Sequence, residues 1–424
     1  MDNRTNFSFP LMALLRQPLL RAPIADLGGA VEQAISGQLK NRYIKPGARV
    51  ALAVGSRGIA GIDTIVRACV NVLRNGGLDP FIVPAMGSHG GATAEGQKKV
   101  LAGYGITEAS MGVPVASDME TVEIGRLSCG MPVVVSGTAL AADYILPVNR
   151  VKPHTKFSGP IESGLAKMLA VGLGKADGAA TVHRFVVAHS FGVIEQAAGV
   201  ILKHCNVLCG LALLEDGCGN VSHVEAVAAD QMIEREKALL KKVYSMMPRI
   251  PFDSLDILVV DRIGKNISGI GMDSNVTGRH RDITGDFCVA PHARRIFIRD
   301  LTPESAGNAN GIGLADFTTT RLVTAIDRQK TYANALAAIS PEKAAIPAWF
   351  DSDREALLAC VRTCGCESFE TARIVRIFDT SHLEKLWVSR ALEPEIAGIE
   401  GVERLTAWAP MRFDAAGNLD DGFE

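Results

Sequence analysis

Three times in the first 154 residues a short apolar run stops at a turn that carries a charged or imidazole side chain. The run 50–54 ends in Gly-Ser-Arg-Gly (55–58), 81–84 leads to Gly-Ser-His-Gly-Gly (87–91), and 144–148 ends in Asn-Arg-Val-Lys-Pro-His (149–154). Helical spacing follows the first two runs, through Ile62, Ile65, Val66, Cys69, Val70 and Leu73 and then over 94–104. Continuous apolar strands alternating with amphipathic helices imply a parallel sheet covered on both faces. In such sheets ligands bind beyond the carboxyl ends of the strands. Arg57, His89 and His154 each follow a predicted strand, so one edge of the sheet should gather all three.

The rest of the chain extends this pattern. Residues 1–48 read as a lead-in with one helix over 24–39. Strand-like segments fall at 121–124, 131–135 and 207–214. Helical spacing is read over 160–171, with Pro160 suited to a first turn, and again over 179–202 and 224–244. Pro248 and Pro251 interrupt the pattern, and a new strand at 255–260 opens a second half with a polar loop, DRIGKNISGIGMDSNVTGRH. The expectation is an α/β protein of two domains, residues 1–250 and 251–424. The first holds a parallel, Rossmann-like sheet with helices on both faces, and the second is a smaller α/β domain closing over the site.

With 424 residues, two domains are the default for chain length alone. A net charge of −2 gives no general attraction to nucleic acid or an anionic membrane, so any anion binding must be local. The sequence shows no signal-peptide pattern and no run long enough to span a bilayer. Nine scattered cysteines suit a reducing compartment. A cytoplasmic location is expected.

The chemistry concentrates in residues 149–184, where His154, Lys156, Lys167, Lys175 and His183 stand among glycines. Both glycine-rich turns expose backbone N–H donors at a strand-to-helix junction, a natural anion site, although a purely structural turn is the alternative. GSRGIAGID lacks the G-x-G-x-x-G spacing of a dinucleotide fingerprint. Arg57 is either a surface ion-pair partner or a carboxylate or phosphate clamp. His89 has few apolar neighbours, and His154 follows a rigid proline, so both are candidates for proton transfer or ligation. Lys167 lies among Leu165, Ala166, Met168, Leu169 and Ala170. It is either a lysine snorkelling from a buried helix or an amine kept dry for a covalent link. His183 alone would be unremarkable. Cys360-x-x-x-Cys364-x-Cys366 lacks a fourth ligand at a fitting interval, and no zinc-hydrolase motif is present.

In sequence these residues resemble the nickel-dependent lactate racemases: an Arg after the first strand (Arg57), a His-bearing loop after the second (Gly87-Ser88-His89), and a His (His154) ahead of Ser163-Gly164-Leu165-Ala166-Lys167. A further His, His183, stands sixteen residues beyond that Lys. The resemblance implies a nickel pincer nucleotide (nickel pyridinium-3,5-bisthiocarboxylic acid mononucleotide) joined covalently to Lys167, with His183 as the protein ligand to Ni. It implies Gly55, Ser56, Ser88, Ser163 and Gly164 around that cofactor in the N-terminal cofactor-binding domain. His89 and His154 would be the two acid/base groups and Arg57 a substrate-carboxylate contact. The family's second-domain Gln and Lys pattern is not evident; GKNISGIGMDSNVTGR stands in its place, with Lys265, Asn266 and Arg279 as the candidates for substrate contact there. The implied activity is racemisation or epimerisation of a 2-hydroxy acid, with cofactor-biosynthesis proteins as partners and no nucleic-acid or membrane partner. Val54-Gly-Ser-Arg57-Gly departs from the family's usual surroundings of the arginine, and the interval from His154 to Ser163 is longer. Both point to a larger or more acidic 2-hydroxy acid, or a sugar acid. The alternatives are an anion- or nucleotide-binding protein of the same fold, or another hydride transfer with the same cofactor.

Overall fold

All three apolar runs are parallel strands of one sheet in the computed structural model, which describes residues 8–40, 42–56 and 58–423. The chain divides into two compact units. One comprises Leu20–His154 and Ser158–Met247; the other comprises Thr155–Phe157, the chain from Pro248 onward and the described residues up to Leu19.

In the first unit the strand order is Asp79–Pro84, Arg49–Val54, Tyr144–Arg150, Cys209–Glu215, Val221–Ala228. The first four are parallel and the last is antiparallel. Side chains alternate between two covered faces. Val50, Leu52, Val54, Leu211 and Leu213 share a core with Val31 and Ile35 of the helix Leu27–Leu39 and with Ile65, Val66 and Leu73 of the helix Ile62–Asn75. On the opposite face a Cβ at Gly210 would lie 2.6 Å from Leu165 and 2.8 Å from Met232, so helices press on that side as well. Helix starts follow their caps. Asp26 accepts from the amide of Gly29 and Thr93 from that of Gly96, each contact worth about 1 kcal/mol.

From Arg49–Val54 the chain first adds Asp79–Pro84 on one side, then returns to add Tyr144–Arg150 on the other. The direction of winding therefore reverses between Arg49–Val54 and Tyr144–Arg150, and a crevice opens at their carboxyl ends.

In the second unit Ala348–Phe350, Phe317–Thr319, His292–Leu301, Ser254–Ile263 and Ile374–Ile377 run parallel, and Lys385–Ser389, Met12–Arg16 and Glu403–Arg404 complete an eight-stranded sheet through antiparallel pairs. Leu258, Val260, Ile296 and Ile298 feed one core; Ile257, Val259 and Phe297 feed the other. Mixed α/β architecture with parallel sheets is thus present in both halves.

Four local expectations need correction. The helix expected over 160–171 begins at Leu165, and its second half, Met168–Gly172, widens to a π-helical turn. Pro160 lies instead in a loop closed by mutual backbone hydrogen bonds between Lys152 and Ser163. The helix expected over 179–202 is two helices, Lys175–His189 and Gly192–His204, parted at Ser190 with φ of +62°. The first part of the 224–244 helix is the strand Val221–Ala228, and only Met232–Met246 is helical. Residues Met12–Arg16, read as part of a lead-in, form a strand paired with Lys385–Ser389.

Candidate functional site

The crevice of the first unit is lined by the segments that follow its strands. Gly55 and Ser56 follow Arg49–Val54, and Ser88 and His89 follow Asp79–Pro84. The two turns meet directly, because the Ser56 hydroxyl and Nδ1 of the exposed His89 are hydrogen-bonded. Tyr104 steadies the first turn by donating to the Ser56 carbonyl at 2.6 Å. Arg57 lies outside the described residues.

The segment carrying Lys167 crosses these same strand ends. Asn149, near the end of Tyr144–Arg150, donates from its side chain to the Gly164 carbonyl at 2.7 Å. The Gly87 amide donates to the Gly172 carbonyl at 3.1 Å, and a Cβ at Gly55 would lie 3.1 Å from Met168. Gly172 itself has no room for a side chain, since its Cβ would stand 2.7 Å from the Ala85 carbonyl. Lys167 is half-buried and sits where α-helical geometry gives way to the π-helical turn. Such turns occur often at functional positions. His183 is half-buried on the next helix, Lys175–His189.

Two buried carboxylates organise this region, and neither was picked out from sequence. Glu162 accepts from the amides of His154 (2.6 Å) and Gly159 (2.9 Å) and from the Tyr244 hydroxyl (2.8 Å). It therefore fixes the backbone at His154, whose ring lies 6.5 Å from that of Phe191. Burial raises the Glu162 carboxyl above the usual range, against the pull of those donors. Glu236, 1% exposed, accepts from the Ala166 amide at 2.8 Å and so caps the first turn of the Lys167 helix. Burial pushes it up to about 7, with the amides of Ala166 and Leu165 opposing. Its Oε1 has no hydrogen-bond partner among the described residues. Gly164 makes room for it, since a Cβ there would lie 2.4 Å from Oε1.

In the second unit, Lys265 donates to the Gly269 carbonyl and, at 2.6 Å, to the Asn334 side chain. Exposed Asn266 accepts from the Thr302 hydroxyl at 2.7 Å. Arg279 pairs with Asp316 at 2.7 Å and donates to the Ala293 carbonyl at 2.8 Å. The loop from Gly264 onward is therefore internally tied. Nearby, Asp282 gathers Lys343 (3.1 Å), His280 (3.2 Å) and Lys156 (3.3 Å) in a buried cluster. Burial alone would raise this carboxyl, but hydrogen bonds from His280 and Thr284 and the charges of Lys343 and Lys156 hold it far below its usual range. Burial lowers Lys343 to about 8.

Among the described residues no group of three or more His, Cys, Asp or Glu could hold a metal unaided. Cys364 and Cys366 both donate to the Val361 carbonyl instead. Lys167 and His183, the amine and imidazole that the resemblance assigns to a cofactor, stand on successive helical segments, Leu165–Lys167 and Lys175–His189. One amine and one imidazole would leave most of a metal's coordination to donors that a cofactor brings with it. No helix of the described residues is long and apolar enough to cross a membrane.

Residues 21–192 match the family model of the lactate racemase N-terminal domain. No curated protein matches the chain. Among solved structures it is similar to the lactate racemase apoprotein from Thermoanaerobacterium thermosaccharolyticum, at 13% identity over 87% of this chain and 89% of that chain, with a TM-score of 0.45. The resemblance to the lactate racemase family therefore holds over residues 21–192, a span that contains Arg57, His89, His154, Lys167 and His183.

Proposed function

We propose that this chain is an isomerase that racemises or epimerises a 2-hydroxy acid with a nickel pincer nucleotide. The reading is carried by one observation: the turn bearing His89 and the helix bearing Lys167 meet over the same strand ends, within the span that matches the lactate racemase domain. Lys167 would hold the cofactor covalently, His183 would ligate its nickel, and Gly55, Ser56, Ser88, Ser163 and Gly164 would surround it. When bound, the cofactor supplies a reversible hydride acceptor.

The chain's own residues supply the rest. His89 and His154 take and return the hydroxyl proton, one for each face of the flattened carbon, which an imidazole does well near neutral pH. The Ser56 hydroxyl orients the His89 ring through Nδ1. Glu162 holds the His154 backbone in position. Arg57 clamps the carboxylate. Lys265, Asn266 and Arg279 each have partners within their own unit.

The test is a chiral assay over a panel of 2-hydroxy acids and sugar acids, using protein co-expressed with cofactor-building proteins. His89→Gln and His154→Gln should each lower kcat by about 10²- to 10⁴-fold, the usual worth of a proton-transfer group. Undiminished racemisation by the double variant refutes the two-base reading.

A further inference from the structure

Lys175 has no part in the chemistry so far, yet its surroundings are the most unusual of any lysine beside the crevice. Its side chain is wholly buried and its φ is +55°, a left-handed backbone that costs a side-chain-bearing residue about 1–3 kcal/mol. A long cation at such a position persists only where its contacts outweigh both strain and desolvation. Nζ donates to the Pro84 carbonyl at 2.8 Å and to Oε1 of Gln97 at 3.2 Å. Gln97 is itself fully buried, and its Nε2 reaches the carbonyls of Gly87 at 2.8 Å and His89 at 3.5 Å.

These four bonds span the whole exit from the strand Asp79–Pro84. Lys175 holds the last strand residue, Gln97 holds the turn, and the same turn ends at His89. Gly87, with φ of +58°, lets the backbone double back between them. Burial lowers the Lys175 amine to about 8, with the negative charge of Asp118 opposing. Among the described residues Asp118 Oδ1 is buried without a hydrogen-bond partner. Lys175 also begins the helix that carries His183, so one residue ties the turn of the proposed base to the helix of the proposed metal ligand.

We propose that Lys175 is a positioning residue for His89, its buried amine fixing through Gln97 the turn that presents the imidazole. This role rests on the function proposed above for His89. A space-filling lysine would affect stability only. A positioning lysine also sets where the imidazole stands, and a misplacement near 1 Å at a reacting group costs about 10²-fold in rate.

The experiment compares cofactor-loaded wild type with Lys175→Met and Gln97→Met, both of which keep bulk and lose the polar contacts. Three properties are read on each: the His89 imidazole NMR signal (assigned with His89→Gln), amide exchange of residues 85–92, and kcat against KM on the best 2-hydroxy acid. The expected result is a displaced His89 signal and exchange at least ~10-fold faster in that turn, with the strand Arg49–Val54 unchanged. Alongside these, kcat should fall by about 10²-fold with KM within about threefold. If Lys175→Met does not fold, the same outcomes in Gln97→Met decide. Wild-type values for the His89 signal and turn exchange in the folded variants overturn the proposal. A wild type that racemises nothing overturns the proposed function instead, and the imidazole signal still decides the role of Lys175.

Discussion

Glu236→Gln isolates the protonation of one buried carboxyl from everything else in the first unit. Glu236 is 1% exposed and has a carboxyl lifted from 4.5 to about 7. Because the folded value lies above the unfolded one, the native state binds the proton more tightly. The resulting stability is fully present below pH 4.5 and is lost as pH rises through about 7. At ~1.4 kcal/mol for each factor of ten in proton affinity, the loss between pH 5 and pH 8 is about 2–3 kcal/mol. Glutamine cannot titrate, so its variant lacks this slope. It carries a constant penalty of about 1–2 kcal/mol for weakening the cap on Ala166. The stability difference between wild type and variant should therefore shift by about 2–3 kcal/mol over that range, while the pH dependence of all other groups cancels. Trp349, Trp387 and Trp408 all belong to the other unit, so tryptophan fluorescence does not report this transition. The assay is urea-dependent hydrogen exchange on peptides covering Arg49–Val54 and Tyr144–Arg150. A difference that stays constant from pH 5 to pH 8 refutes the reasoning.

Other consequences are as specific. Asp282→Asn leaves Lys156 and Lys343 buried without their anion, and should cost about 3–5 kcal/mol in a urea transition read by tryptophan fluorescence. The Asp282 carboxyl is depressed, so the stability it contributes is present above its unfolded value and is lost as pH falls toward strong acid; the asparagine variant should lose less on acidification. Gly164→Ala sets a methyl against Glu236 and should cost about 1–3 kcal/mol, shifting the Lys167 turn and lowering cofactor loading measured as nickel per chain.

Much of the sheet was legible because a strand buried on both faces must be apolar throughout. The run at 50–54 is the core of Arg49–Val54, and 144–148 opens Tyr144–Arg150. Strand polarity alone implied that Arg57, His89 and His154 gather at one edge; the turns at 55–56 and 87–89 meet, and Arg57 lies outside the described residues. Where tertiary pairing overrides local preference, the sequence was misleading. Residues 221–228, VSHVEAVA, have helix-forming Ala and Glu yet pair antiparallel with Cys209–Glu215. MALLR at 12–16, set between Pro10 and Pro18, pairs with Lys385–Ser389, a partner far along the chain that local sequence does not reveal. The break at Ser190 needed a left-handed φ that a serine does not advertise. Among the proposed site residues, His89, His154, Lys167 and His183 stood out by residue type and interval. Gln97, Glu162, Lys175 and Glu236 are buried, and nothing in their neighbours along the chain marks them so.

The central claim is that Lys167 carries a nickel nucleotide. Peptide mass spectrometry on protein co-expressed with the cofactor-building proteins, with nickel quantified on the same sample, tests it most directly. The account predicts a sulfur-containing adduct on the Lys167 peptide, close to one nickel per chain, and loss of both in Lys167→Ala. An unmodified Lys167 and no bound nickel, in cells where the cofactor is demonstrably made, would contradict it.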